Sequence, residues 1–518
     1  MILRNIRPRE ILLGLTLLLV VHSAAVGQDH FPATDDLELM LRFLVEDGET
    51  PGIVLGVLEA DGSTRIGSYG NAGPDARPLG PHSVFEIGSI TKTFTATLLA
   101  DMVLRGEVAL EDPVAKYLPD HVSAPSRSGR EITLLDLVTH RSGLPSVPDD
   151  FGRISPDIWG FSYTVEDAYA FLSQYELPRE PGARREYSNF GFGLLGHALG
   201  RAAGSSYREL VRERILEPLG MDRTGFTPDD ELAQWMARGH RSGEAVRHRT
   251  YIEIFEGAGA LLSNAEDLLK FMKAHKGSPG SDLEQAMRMA VEIRDPGGRE
   301  GAGYGLAWAS MVQPGQAPVV GHGGRTAGFS SMLSFMPERG IGTVVLANNA
   351  NFEDNLGMTL LNPDPPPAEW ERVRVDPNVL ARYVGTYRAT AGSGQFYVRL
   401  EDEGHLTYQP EKRVRARLYA TSDSTFYLLR GPWSFTFQTN EDGEVVGMRM
   451  RVDEREPGQR GMDRAARRVG DDTPPPAVVA GNAGGWIGWE YGAWVFLGMI
   501  AAIGLIVALR RTWWKRRV

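Results

Sequence analysis

Hydrophobic and polar positions alternate along this chain in two rhythms, and the switches between them outline the fold. An amphipathic stretch from Leu37 to Val45 predicts a helix, and Gly52 to Tyr69 follows with two apolar runs separated by Asp61-Gly62, a hairpin signal. Residues 90–105 (ITKTFTATLLADMVLR) hold apolar side chains at helical spacing without Gly or Pro, which predicts a buried helix beginning beside Ser89. The region 130–290 reads as largely helical. Beyond it, Tyr304 to Trp308, Val319 to Val320, Phe329 to Met336 and Gly342 to Ala347 read as strands, the last two joined by the turn Pro337-Glu338-Arg339-Gly340. Strands at both ends with helices between predict an α+β domain: one antiparallel sheet flanked by helices, with a helical insertion.

A second rhythm begins after Asn362-Pro363-Asp364-Pro365-Pro366-Pro367. Short alternating runs such as Gln395 to Leu400, Thr425 to Leu429 and Phe435 to Gln438, with a turn at Asp442-Gly443, predict a small all-β domain over residues 377–466. Pro-rich segments form extended, solvated connectors, so residues 356–376 and 467–490, the latter containing Asp471 to Pro476, read as linkers around that domain. The domain ahead of them occupies residues 30–355.

The two ends carry apolar runs of another kind. Arg4, Arg7 and Arg9 precede Ile11 to Val21 and then the small residues through Ala25-Val26-Gly27, the order of a secretory signal over residues 1–27. Tyr491 to Leu509 contains no charge, and at the helical rise its 19 residues cover about 28 Å, enough for one transmembrane helix. Arg510, Arg511, Lys515, Arg516 and Arg517, with Trp513 and Trp514 among them, make residues 510–518 a basic, positive-inside tail. The expectation is a domain held periplasmic or extracellular by a membrane anchor, with the tail cytoplasmic.

Composition narrows the function classes. Across 518 residues the net charge is −11, with no basic stripe outside the final residues, which argues against a nucleic-acid partner. Cysteine is absent, so disulfides, thiolate metal sites and a cysteine nucleophile are excluded. In Ser89-Ile90-Thr91-Lys92 the serine and lysine lie three apart, on one helical face, where an amine can take a hydroxyl proton. The plain alternative is an N-capping serine beside an incidental lysine.

Two further motifs add partners. Tyr187-Ser188-Asn189 follows the turn Pro181-Gly182 and precedes a helical run Phe190 to Leu199, offering a phenol for proton relay and an amide to hold an amine or bind a carbonyl. Gly321-His322-Gly323-Gly324 sits between two apparent strands, where glycines let a substrate backbone come close. A capping Asn and a Gly-rich bulge with a surface His are the respective alternatives.

In this order the three motifs resemble those of the serine β-lactamase and penicillin-binding protein superfamily, in particular its class C β-lactamase-like branch, which includes esterases, D-aminopeptidases and related peptidases. The resemblance runs over about residues 35–352 and includes Ile132 to Pro145 (ITLLDLVTHRSGLP), Tyr187 to Gly196 (YSNFGFGLLG), Glu217 to Met221 (EPLGM) and Gly257 to Asp267 (GAGALLSNAED). The residues around Tyr383-Val384-Gly385-Thr386-Tyr387 look like a lipocalin-like β domain that often follows such a domain. The resemblance implies Ser89 as nucleophile, Lys92 as its base partner, Tyr187 as a further proton carrier and Asn189 as a positioning group. It also implies an oxyanion hole from the backbone NH groups of Ser89 and Arg325, with no metal or other cofactor.

The expected activity is attack on an ester or amide carbonyl of a small molecule or peptide, through a covalent acyl-enzyme. Lys92 and Tyr187 remain alternative bases. Superfamily members acting on β-lactams or cell-wall peptides usually carry Lys-Thr-Gly where this chain has His322-Gly323-Gly324. An imidazole supplies only part of that positive charge at neutral pH, which favours a D-amino-acid peptidase or esterase over a β-lactamase or DD-carboxypeptidase. A noncatalytic sensor of peptidoglycan fragments or β-lactams is the expectation of a different class.

Overall fold

The computed structural model describes residues 30–470 apart from short internal stretches, the longest being 152–162 and 363–372. The signal reading over 1–27 and the membrane-helix and tail readings over 491–518 lie outside the described residues. Among the described residues, no helix is long and apolar enough to cross a membrane.

The first helix, α1 (Thr34–Glu46), leads into the hairpin β1 (Gly52–Leu58) and β2 (Thr64–Gly70), whose turn falls at Asp61-Gly62. Next along the chain are α2 (Thr91–Leu104), α3 (Asn189–Ala203) and α4 (Ala265–Lys276). The chain then returns through β3 (Asp295–Pro296), β4 (Gly303–Tyr304), β5 (Ala309–Met311), β6 (Val319–Arg325), β7 (Ser330–Met336) and β8 (Ile341–Ala347), before α5 (Leu356–Leu361). These strands form one eight-stranded sheet in the order β2-β1-β8-β7-β6-β5-β4-β3, antiparallel throughout. Strands from the two ends of the domain, β1 and β8, pair with each other, second and third from one edge of the sheet.

Burial on both faces explains the unbroken apolar runs GIVLGVL and IGTVVLA, all of whose positions are buried. Ile53, Leu55, Val57, Val345 and Ala347 pack with α1 and α5 on one face, while Val54, Leu58, Val344 and Leu346 join the larger core of the helical side. Helix α2 is buried all round from Thr91 to Met102 rather than along one stripe. Its threonines satisfy their hydroxyls internally, Thr93 on Ile90 O (2.8 Å) and Thr97 on Thr93 O (2.9 Å), so a helix with polar residues can run through the core.

Two strand readings need correction. The run Tyr304 to Trp308 is strand only at Gly303–Tyr304, because Ala307 adopts φ +67° and turns the chain into β5. The third motif does not lie between strands: β6 continues through Gly321 to Arg325, paired with β7 from Val320↔Phe335 to Arg325↔Ser330. Its glycines mark a close approach, described below, and not a turn.

Residues Gly385–Ala389, Gln395–Leu400, Leu406–Pro410, Ala416–Ala420, Thr425–Leu428, Ser434–Thr439, Val445–Val452 and Met462–Gly470 are β9 to β16, which close into an eight-stranded antiparallel barrel. Tyr387, Val398, Leu406, Phe426, Phe435 and Met448 fill its interior. The barrel meets α1: Arg417 pairs with Asp36 (2.9 Å), Arg415 with Glu46 (3.1 Å), and Tyr419 joins the apolar cluster beneath.

Candidate active site

Ser89 lies in a 3-10 turn, Gly88–Ile90, that runs directly into α2. Lys92 is thereby carried to the same side, and its Nζ stands 3.0 Å from Ser89 Oγ. The lysine side chain has no exposed surface. Two acceptors complete its surroundings, Asn189 Oδ1 at 2.8 Å and the carbonyl of Ala258 at 2.6 Å. Burial drives the Lys92 amine well below the ordinary lysine value.

Asn189 reaches this position because it does not cap α3. Ser188 is the N-cap, accepting from Gly191 N (2.8 Å) and donating to Pro145 O (2.6 Å). The asparagine amide is left to bridge Lys92 and Ser146 Oγ, the latter at 3.2 Å. Helix α3 presses close to residues 254–258: a Cβ on Gly193 would meet Ile254 O at 2.0 Å. That approach delivers the Ala258 carbonyl to Lys92.

Tyr187 donates its hydroxyl to Ser89 Oγ at 2.7 Å, and its ring lies 4.9 Å from Lys92 Nζ. The residue is 38% exposed, its hydroxyl is engaged by Ser89, and desolvation pushes the phenol up to about 12. His140 fixes the tyrosine. Buried and held at φ +61°, it accepts the Ser188 amide on Nδ1 (3.1 Å) and the Glu186 amide on its carbonyl (2.7 Å), with its ring 4.4 Å from that of Tyr187. Burial first, and the neighbouring Lys92 second, push its imidazole well below the ordinary histidine value. His140 is therefore neutral, with its proton on Nε2.

The backbone of β6 borders Ser89 from the other side. Ser331 Oγ on β7 donates to Ile87 O (2.9 Å), and a Cβ on Gly88, at φ +49°, would sit 2.9 Å from Arg325 N. The segments carrying the Ser89 and Arg325 amides are thus adjacent. His322, half-buried on β6, turns Nδ1 to the Gly323 carbonyl (2.7 Å), which can only accept, so Nδ1 carries the proton. Desolvation above all pushes this imidazole down to about 4. At neutral pH it supplies no cation.

A serine hydroxyl held between a desolvated amine and a phenol, beside paired backbone segments, is suited to acyl transfer. The sequence model of the family described as Beta-lactamase matches residues 37–364. This chain belongs to the beta-lactamase family. It is a serine hydrolase of that family, and a domain of unknown function, DUF3471, matches residues 371–463, over the barrel. The D-alanyl-D-alanine-carboxypeptidase/endopeptidase AmpH of Escherichia coli K12 is 30% identical over 347 residues, 64% of this chain and 88% of that protein. A beta-lactamase of the same strain is 28% identical over 59% of this chain and 86% of its own length. Among solved structures, a beta-lactamase/D-alanine carboxypeptidase from Yersinia pestis, complexed with citrate, aligns with TM-score 0.54 at 26% identity, covering 63% of this chain and 97% of that one.

In this beta-lactamase family member the structure brings Ser89, Lys92, Tyr187 and Asn189 into one hydrogen-bonded group and sets Gly324 and Arg325 against the Ser89 turn. Two participants escaped the residue-level reading, the Ala258 carbonyl and His140. Both fall in stretches that carry the family resemblance, GAGALLSNAED and ITLLDLVTHRSGLP, which was the available signal. Gly324 gives a direct test of the β6 approach. A Cβ there would lie 1.9 Å from Ile87 O and 2.5 Å from Ser331 Oγ, whereas one on Gly323 would meet nothing nearer than Met332 Sδ at 3.5 Å. Gly324→Ala is expected to lower kcat by about 100-fold, the scale of a lost oxyanion donor, and Gly323→Ala by less than about 3-fold. Steady-state assays of the pair decide it; equal effects would refute the geometric argument.

Proposed function

We propose that this protein acts as a serine acyl hydrolase through a covalent acyl-enzyme on Ser89, with a D-amino-acid peptide or a small ester as substrate. The observation that carries this reading is the set of three oxygens around Lys92 Nζ. Two of them, Asn189 Oδ1 and Ala258 O, can only accept, so a neutral amine gives them its two N–H bonds and turns its lone pair to the third, the Ser89 hydroxyl. Lys92 is then the general base and Tyr187 remains a phenol.

In the first step Ser89 Oγ bonds to the substrate carbonyl carbon while its proton passes to Lys92 Nζ. The oxyanion develops towards the Ser89 and Arg325 amides. Collapse breaks the bond to the leaving group, which receives the proton from Lys92, directly or by way of the Tyr187 hydroxyl. Water then attacks the acyl-enzyme by the reverse route, with its proton taken by the same amine and returned to Ser89 Oγ as the acyl group leaves. Asn189 holds Lys92 and offers its amide to the substrate. His322 and Gly324 line the β6 side.

The neutral imidazole of His322 argues against efficient β-lactam hydrolysis, which in the superfamily usually has a lysine at that place. DD-carboxypeptidase activity is the second reading, favoured by the AmpH relative. Secretion, the domain limits set out above, and anchorage through residues 491–509 with the catalytic domain outside the cytoplasm belong to the same proposal.

A hydrolysis panel of short-chain esters, D-aminoacyl amides, D-Ala-D-Ala peptides and a cephalosporin, with Ser89→Ala as blank, tests it. The expected result is turnover of an ester or D-amino-acid substrate at a kcat/KM at least about 100-fold above that for the cephalosporin. Stoichiometric labelling without turnover of any class would replace the hydrolase with a sensor.

A further inference from the structure

The barrel meets α1 through Arg415, Arg417 and Tyr419, at and beside β12. Strand β16 lies four strands from β12 round the closed barrel, which in a barrel of eight is the opposite side. That side, made of β15, β16 and β9, is basic. Arg388 of β9 and Arg467 of β16 are exposed and stand directly opposite each other in register. Arg449 of β15, also exposed, is opposite Ala465, two residues along β16 from Arg467. Arg451 is exposed as well but stands in register with Asp463. No exposed carboxylate among the described side chains shares these three strands, whereas Val446 and Val469 on them are 44% and 40% exposed.

Like charges directly opposite on a sheet repel, so the Arg388–Arg467 pair weakens the barrel that carries it. Neither residue makes an ion pair with a described residue. An anionic surface laid across both strands answers the two charges together. The chain as a whole carries a net charge of −11, so such a surface repels most of the molecule and attracts this face. Strand β16 ends at Gly470, and residues 471–490 join it to the uncharged apolar run 491–509. With that run in a bilayer, the tether keeps the end of β16 within about 70 Å of the lipid, where even a weak surface attraction is favoured by proximity.

We propose that the face formed by β15, β16 and β9 docks on the anionic phospholipid headgroups of the membrane that holds the chain, so that the barrel is a spacer turning the Ser89 cleft away from the bilayer. This rests on the anchorage through residues 491–509 proposed above, and not on which residue is the nucleophile. The orientation follows from the layers. The barrel sits against α1, α1 covers one face of the sheet, and Ile90 and Phe94 beside Ser89 pack into the core on the other face. Docking by the far side of the barrel leaves the barrel, α1 and the sheet between the lipid and Ser89. Substrates then reach the cleft from the aqueous side and not from the lipid.

Because the chain has no cysteine, Gln438→Cys places a single donor fluorophore at an exposed position of β14, opposite Gly447 of β15 and beside the basic face. The full chain is reconstituted into vesicles of phosphatidylcholine, or of phosphatidylcholine mixed with phosphatidylglycerol, each with a headgroup-labelled acceptor lipid. Energy transfer is expected to be at least about 2-fold more efficient on the anionic vesicles, and to fall to the neutral level in about 1 M salt, where the screening length is about 3 Å. Combining Arg388→Gln, Arg449→Gln and Arg467→Gln should remove the difference without lowering the melting point, since it relieves the repulsion between Arg388 and Arg467. Equal transfer on both lipids, or a difference that survives the triple substitution, would overturn the docking. Carbonate extraction of the neutral vesicles reports on the anchor separately. A chain stripped from them lacks a bilayer segment, and the spacer falls with the anchor; a chain that stays but shows equal transfer keeps the anchor and loses the docking.

Discussion

Ser89→Ala is expected to abolish covalent labelling by a fluorophosphonate and to cut turnover of the best panel substrate by at least about 10,000-fold. The substitution removes the proposed nucleophile, while Lys92, Tyr187 and Asn189 keep the packing that holds them. What survives is binding and the pull of the backbone amides on the developing oxyanion, which alone give weak catalysis. Folding should be little affected. The serine is half-buried and, among the described residues, its hydroxyl bonds only Lys92 and Tyr187, so the thermal midpoint should move by a few degrees at most. Intact-mass spectrometry after labelling, with a calorimetric scan of the same sample, checks both statements. A Ser89→Ala protein that still gains the mass of the probe would remove Ser89 from the mechanism.

Lys92→Ala should lower the acylation rate by about 100- to 10,000-fold, the range of a lost general base. Lys92→Arg should give no rescue, because a guanidinium does not deprotonate and the fully buried space around Nζ does not admit the larger head. The pH profile separates Lys92 from Tyr187. Neutral amine is the active form, and burial lowers its pKa, so kcat/KM should rise with pH along a limb well below the ordinary lysine value of 10.5 and fall away in acid as the amine protonates. Tyr187, pushed up to about 12, keeps its proton over this range and contributes no limb of its own. If the limb lies at 10.5 or above, or vanishes in Tyr187→Phe, the base is Tyr187.

Elements with a single dominant local signal were legible. The Asp61-Gly62 hairpin, the Gly-free and Pro-free α2 and the alternating runs of the barrel each follow from backbone preference and burial within a dozen residues. The third motif misled for a physical reason. Glycines mark both turns and places where two backbones touch, and only the presence of Ile87 against Gly324 distinguishes them. The capping alternative at Asn189 fails for a tertiary reason too, since Ser and Asn are both good caps and the choice of Ser188 depends on Pro145 and Gly191 as partners.

By itself, the sequence determined that the chain holds an α+β domain followed by a β domain, and that Ser89 and Lys92 share a helical face; both are consequences of periodicity, which local sterics impose. The ordered motifs added the family. Only the tertiary structure decided the state of the groups. Lys92 is driven toward its neutral form because α3 and residues 254–258 close over it, and Tyr187 keeps its proton because its hydroxyl is drawn into the same desolvated space. His322 loses its charge for want of water, and Arg388 comes to face Arg467 through the pairing of β9 and β16. Desolvation and unpaired charge depend on residues far apart in the chain, so no local pattern encodes them.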